Sequence, residues 1–226
     1  MNTKLESRPL RERKFAKTKL GLLHAALEAL EHRGLEEVST RELCAAVSIS
    51  QASFFNYFPR KEDLLTYFIQ VWSLEMAWHG QRLAATLGGL GAIEEIFALT
   101  ARETARHPTV MAEIVAWQVR HVATPPPPLT VSEKLLAHPT LDGVETLPQD
   151  AGLQALFPPL LVQAVERGEL PAGVDVRDVM AALATIFFGV PVLGRQANLN
   201  NLEGLYRRQL QLLWAGLRAS GKPEQP

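Results

Sequence analysis

Ser50-Gln51-Ala52-Ser53-Phe54-Phe55-Asn56-Tyr57-Phe58, followed by Lys61-Glu62-Asp63-Leu64, is the stretch that decides the fold. Its first four residues are small and polar, slim enough to approach base edges in a groove, and Asn56 and Tyr57 carry hydrogen-bonding groups. Phe54 and Phe58 stand four apart on one helical face, where they can anchor the segment to its own domain. An ordinary amphipathic helix with aromatic core residues has the same spacing, so the flanking sequence has to decide.

Upstream, Ser39-Thr40-Arg41-Glu42 has the form of a capping box: the Ser39 hydroxyl accepts from the residue 42 amide, and Glu42 reaches back to the residue 39 amide. The helix it opens runs through Leu43-Cys44-Ala45-Ala46-Val47, whose small residues let another helix approach closely. Val47-Ser48-Ile49 then makes a tight turn, and Ser50 caps the next helix. A longer helix precedes both, from Thr18 to His32, with an apolar stripe of Leu20, Leu23, Leu27 and Leu30, close-packing Ala25, Ala26 and Ala29, and Gly34 as its stop. Two short helices across a tight turn, the second slim and polar at its start, form a helix-turn-helix.

With these residues in view, positions 16 to 68 resemble the DNA-binding domain of the TetR/AcrR family of transcriptional regulators. The resemblance is carried without a gap by Ala25-Ala26, Gly34, Val38-Ser39-Thr40, Leu43, Ile49-Ser50, Phe54, Tyr57-Phe58 and Lys61-Glu62-Asp63-Leu64. It implies an all-helical homodimer, each subunit with an N-terminal DNA-reading domain and a C-terminal domain for dimerisation and ligand binding. Three positions depart from the family pattern. Ser48 stands where Gly is usual and, at positive φ, costs on the order of 1 kcal/mol relative to Gly. Ala52 replaces a frequent Gly, and Phe55 replaces a frequent Tyr, so a phosphate-contacting hydroxyl is lost and a contact with a thymine methyl or a sugar becomes available.

Roles follow from side-chain chemistry, with the family as guide. Lys61 is expected in the first turn of a long helix, where its ammonium and the free amides together clamp a phosphate. Tyr57 and Thr40 offer hydroxyls to phosphate oxygens. Gln51, Ser53 and Asn56 are the candidates for base edges, since Gln and Asn can pair bidentately with adenine, and Arg41 suits guanine or phosphate. The alternative for each is a solvated surface side chain.

The chain carries a formal charge of −1 over 226 residues, so it is no generic polyanion binder. Residues 1 to 19 nevertheless hold Lys4, Arg8, Arg11, Arg13, Lys14, Lys17 and Lys19 against Glu6 and Glu12. Such an arm can follow the phosphate backbone or enter a minor groove, or serve as a disordered solubilising tail. No apolar stretch follows its charges, as a secretory signal would require, and no run of eighteen apolar residues suggests a membrane span. Cys44 is the one cysteine, which excludes an internal disulfide and argues for a small core residue. A cytoplasmic protein is the resulting expectation.

Beyond residue 68 helices are expected at 64–87, broken by Gly88-Gly89 and Gly91, then at 92–106 and 108–123. After Pro125-Pro126-Pro127-Pro128 a long, partly ordered connection is expected over 124–150, and helices resume at 152–167, 175–193 and 202–217. The fold class is all-α. The expected domains are a basic arm at 1–15, the helix-turn-helix domain at 16–68, a ligand-binding and dimerisation domain at 69–219 and a disordered tail at 220–226.

The last two long helices carry the expected two-fold interface. Val176, Val179, Met180, Leu183, Ile186, Phe187 and Val190 line one face, and Leu205, Leu210, Leu212, Leu213 and Leu217 another, as a four-helix bundle between subunits needs. Such symmetry would set paired recognition helices on a pseudo-palindromic operator. Trp72, Met76, Phe97, Met111, Trp117, Phe157 and Phe187 are candidates for an apolar cavity, with Arg102, Gln118 or His121 as polar handles, though each also suits plain core or surface. By the family's analogy, an apolar or aromatic effector there would pivot the long helix beginning at Lys61 and lower operator affinity.

No HExxH, glycine-rich phosphate loop or GxSxG elbow is present, so no catalytic, metal or cofactor site is expected. The alternative reading is a dimeric DNA-binding regulator with no small-molecule ligand, controlled by a protein partner or acting as an activator.

Overall fold

The computed structural model describes residues 3–120, 126–148, 152–197 and 201–220. Among them every regular element is helical: α1 (Thr3–Glu6), α2 (Leu10–Leu30), α3 (Thr40–Ala46), α4 (Gln51–Tyr57), α5 (Asp63–Arg106), α6 (Pro108–Arg120), α7 (Val131–Ala137), α8 (Leu153–Leu156), α9 (Pro158–Glu166), α10 (Val176–Gln196) and α11 (Leu202–Ser220), with 3-10 turns at Leu35–Glu37 and Val144–Thr146. The all-α class is the expected one. Contacts divide the chain into two units, Met1–Glu75 with His107–Asp150, and Met76–Arg106 with Ala151–Pro226. The expected single domain over 69–219 is therefore corrected: the segment 107–150 packs with the N-terminal residues.

In the first unit, serines start the two short helices. Ser39 accepts from the Glu42 amide and Ser50 from the Ser53 amide, each at 3.2 Å. The reciprocal half of the expected capping box at Ser39 is replaced, because the Glu42 carboxylate turns to Arg33. Leu20, Leu23, Leu43, Phe54 and Phe58 are buried as the shared core. Gly21 lets α2 approach the end of α3, where an added Cβ would stand 2.9 Å from Val47 Cγ1. Gly34 is extended (φ −70°, ψ 160°) and does not end α2 as a left-handed cap; space explains it, since a Cβ would meet Glu113 Oε1 at 2.9 Å.

The basic arm is corrected too. Instead of a free arm through residue 15, α1 and α2 are helical from Thr3 and Leu10, and some of their charged side chains meet the segment 126–148. Lys4 pairs with Glu145 at 2.7 Å, Glu12 accepts from the Ser132 amide and hydroxyl at 3.2 and 2.8 Å, and Lys19 pairs with Glu133 at 2.9 Å. That segment was expected to be a loose connection, yet Thr130 and Glu133 form a complete capping box that starts α7. Ser132, Glu133 and Lys134 are all buried, with Lys134 donating to the Leu147 carbonyl at 2.7 Å. Pro125 and both ends of the expected connection lie outside the described residues.

In the second unit, α5 breaks where the glycines predict. Gly88 has φ 79° and ψ 178°, and the amides exposed beyond the break, Gly89 and Leu90, donate to the Glu169 carboxylate at 3.1 and 2.9 Å. A distant glutamate thus acts as N-cap for the second half of the helix. Further along, Phe97 stacks on Phe157 (5.5 Å, 10°) and meets Phe187 and Tyr206 edge-on at 5.6 and 5.0 Å. Tyr206 closes the cluster by donating to the Phe187 carbonyl at 2.8 Å. Residues 221–226 of the expected tail lie outside the described residues; residue 220 ends α11.

Two helices, α5 and α10, are long and apolar enough to cross a membrane by length and composition. An uninterrupted apolar run is the stricter criterion, because a window containing a charge or two still qualifies here. The apolar window of α5 is 56% buried within the structure and that of α10 only 33%, so α10 retains an uncovered apolar side.

Candidate nucleic-acid interface

The recognition helix α4 divides its residues by face. Phe54 and Phe58 are fully or nearly fully buried, their rings 5.9 Å apart, and lock the helix to the core. Gln51, Phe55 and Asn56 are exposed, Phe55 to 53%, with Ser53 and Tyr57 half-buried. Period 3.6 places an anchor face and a reading face on the same two turns of helix.

The structure brings most of the expected DNA residues together. Gln51 Nε2 donates to Thr40 Oγ1 at 2.9 Å, joining the starts of α3 and α4, and Ser53 Oγ lies 2.8 Å from Ser50 Oγ. Arg41 is exposed beside Thr40. Lys61 is the exception. It precedes α5 instead of lying in its first turn, and its ammonium donates to the Val38 and Glu36 carbonyls at 2.9 and 3.3 Å. Two of its three N–H groups therefore fix the turn between Gly34 and Ser39, leaving one for a phosphate.

One contributor to this surface, Phe15, is not among the expected residues, and one expected basic residue, Lys19, is withdrawn from it. Phe15, on α2, is 39% exposed and lies 4.6 Å ring to ring from Tyr57. Lys19 is buried against Glu133, with its ammonium 4.2 Å from the Tyr67 ring centroid. Burial favours the neutral acid, but the Lys19 charge and the Thr130 cap outweigh it and hold the Glu133 carboxyl below its usual value. Burial, with the Glu133 charge beside it, pushes the Tyr67 phenol up. Burial also raises the Cys44 thiol, which fits an inert core residue better than a redox sensor.

The residues expected to line a ligand cavity are not gathered in one unit. Trp72 and Trp117 belong to the first, whereas Met76, Phe97, Phe157 and Phe187 belong to the second. There the three phenylalanines fill a core with one another's rings, since aromatic side chains satisfy their packing by stacking. Arg102 points to carboxylates, 2.7 Å from Glu95 and 3.5 Å from Glu203, Gln118 is exposed, and His121 lies outside the described residues. Of the expected interface residues, Val179, Leu183 and Phe187 are buried within their own unit, while Leu205 and Leu213 are half-exposed and Leu212 is 68% exposed. The face counted on α10 was its inward one; Val192 and Leu193 form the outward apolar side.

A capped three-helix head with a buried aromatic anchor and an exposed polar flank defines a helix-turn-helix DNA-binding protein. Residues 22–68 match the family model described as bacterial regulatory proteins, tetR family. The N-terminal domain is therefore similar to the DNA-binding domain of the TetR family of transcriptional regulators. The fold of the chain is similar to that of Thermus thermophilus FadR, a TetR-family transcriptional repressor solved with lauroyl-CoA: TM-score 0.58, 22% identity, 92% of this chain and 98% of that one covered. FadR from Bacillus subtilis, solved with stearoyl-CoA, gives TM-score 0.58 at 14% identity, covering 87% and 98%. The ketosteroid regulator KstR2 of Mycobacterium tuberculosis gives 0.53 at 14%, covering 88% and 94%. At such identities the likeness concerns the fold. Comparison with curated protein sequences finds no match.

Proposed function

We propose that this regulator is a cytoplasmic homodimeric repressor that binds a pseudo-palindromic operator and leaves it when a small apolar or aromatic effector binds the second unit. The observation that carries the DNA half is the exposed row Gln51, Phe55 and Asn56 above the buried Phe54 and Phe58. Gln51, Ser53 and Asn56 read bases, Phe55 meets a thymine methyl or sugar, and Thr40, Arg41, Tyr57 and the remaining Lys61 N–H hold phosphates. The uncovered apolar sides of α10 and α11, with Val192, Leu193 and Leu212, support pairing of subunits. The acyl-CoA bound by the two FadR relatives supports an apolar effector.

A second reading is favoured by the ring-on-ring filling of Phe97, Phe157, Phe187 and Tyr206: a regulator with no small-molecule ligand, answering to a protein partner or acting as an activator. Both readings require specific DNA binding. Fluorescence anisotropy at about 150 mM salt, with duplex from the protein's own upstream region against a scrambled duplex, tests it. Saturable binding at least a hundredfold tighter than the control, lost in Asn56→Ala, is the expected result. Acyl-CoA thioesters added to that complex then divide the readings, since release favours the first and indifference the second.

A further inference from the structure

We infer that Phe15 is a positioning residue for DNA binding: its ring holds Tyr57 in the orientation that presents the phenol hydroxyl to a phosphate. The inference rests on the DNA-binding reading above and adds an element outside the helix-turn-helix. Phe15 stands on α2, where Ala16, Leu20, Leu22 and Leu23 turn into the core. Phe15 is left 39% exposed and Leu10, at the start of the same helix, 57%, each at a cost in apolar surface kept in water. What Phe15 gains is Tyr57, 4.6 Å away between ring centroids and tilted by 32°, within the range of favourable aromatic pairs.

Tyr57 needs such support because of its place in the chain. It is the last residue of α4, and the backbone leaves the helix at Phe58, whose φ is −137°. α4 has no turn beyond Tyr57 to pack beside its ring, so a side chain at this helix end has rotamer freedom that binding would have to remove. Phe58 is buried and fixes the backbone from one side, and Phe15 supports the ring from the other. On α2, Arg11 lies one helical turn before Phe15 and Lys14 lies beside it, both exposed and without an ion-pair partner among the described residues. A phosphate taken by the Tyr57 hydroxyl would thus sit near uncompensated positive charge.

The test is a double-mutant cycle on the full chain, using as probe the duplex that the wild-type protein enriches from a randomised pool. Affinities of wild type, Tyr57→Phe, Phe15→Ala and Phe15→Ala/Tyr57→Phe are measured by anisotropy at about 150 mM salt, with thermal melts to confirm that each variant is folded. Removing the hydroxyl is expected to weaken binding about tenfold, as loss of a hydrogen bond to a charged group does. Phe15→Ala should produce a similar loss, and the double variant should bind no worse than Phe15→Ala alone. Phe15→Trp, which keeps a ring, should restore most of the affinity. Three results overturn the inference: Phe15→Ala that binds like wild type, Tyr57→Phe that binds like wild type, or losses that multiply in the double variant. A wild-type protein that enriches no sequence would overturn the DNA-binding reading with it, and that outcome is distinct because it precedes every variant.

Discussion

The two units solve the same packing problem with different chemistry. The first keeps charge inside: Lys19, Glu133 and Lys134 are buried, and the N-terminal helices meet the segment 126–148 through Lys4–Glu145, Glu12–Ser132 and Lys19–Glu133. The second keeps rings inside, around Phe97, and uses the Glu169 carboxylate to cap a broken helix. Ionic seams are geometrically demanding and answer to pH, whereas stacked rings do not titrate. The reading head is thus built on the part of the molecule most sensitive to single charges.

The sharpest way to break this contrast is to remove one member of the buried pair. Glu133→Gln leaves the Lys19 charge buried without its counter-ion, which should destabilise the first unit by about 3–5 kcal/mol. The combined Lys19→Met/Glu133→Leu variant, removing both charges, should recover most of the loss. Urea unfolding monitored by far-UV circular dichroism and tryptophan emission measures both. The carboxyls of Glu12, Glu133 and Glu145 are all held below their usual value; burial opposes this in the first two, and the Lys4 hydrogen bond leads in the third. A depressed folded value means stability that is present above the unfolded carboxylate range and lost as pH falls through the folded one. Wild type should therefore weaken progressively below about pH 4.3, and Glu133→Gln less steeply. Equal slopes for the two proteins would remove the ionic seam from the explanation.

A smaller effect probes the second unit. An added Cβ on Gly89 would overlap the Leu160 carbonyl oxygen and stand 2.8 Å from the Ala164 amide, both backbone atoms that cannot swing aside. Gly89→Ala should cost about 1–3 kcal/mol in a denaturant melt, with no change in its acid sensitivity. A neutral result would mean that α5 can move away from α9 without penalty, contrary to the packing described.

What the sequence revealed and what it hid follow the same division. The three-helix head was legible because caps, helical periodicity and a tight turn are local signals, and Ser39, Ser50, Phe54 and Phe58 behave as those signals require. The glycine break in α5 was legible for the same reason. Hidden were the partners separated by a hundred residues or more, such as Lys19 with Glu133 and Glu12 with Ser132, because a charge pattern does not say which charges will be buried together. One local signal points to α7: Thr130-Val131-Ser132-Glu133 has the same box signature as Ser39-Thr40-Arg41-Glu42, but it follows a run of prolines that suits a loop equally well. The apolar faces of α10 were countable, yet which side turns inward depends on packing that no window of one helix contains.

The smallest effect compares one motif across the two units. At the end of α3 the Ile49 amide donates to the Cys44 carbonyl at 3.0 Å and the Ser48 amide to Ala45 at 3.2 Å; at the end of α9 Glu169 donates to Ala164 at 2.8 Å and Gly168 to Val165 at 3.0 Å. Both are Schellman ends, which place one residue in the left-handed region: Ser48 with φ 57° and Gly168 with φ 70°. A Cβ at residue 168 would meet nothing within 4 Å, so the backbone angle is the dominant difference between the sites. Ser48→Gly should then stabilise the first unit by about 1 kcal/mol, and Gly168→Ser should destabilise the second by a similar amount. Thermal melts of the two variants read both signs. Because Ser48 lies in the turn ahead of α4, its replacement should leave the affinity for DNA unchanged if strain there serves only to end the helix. A loss of affinity in Ser48→Gly would show instead that the left-handed serine holds the recognition helix at its working angle.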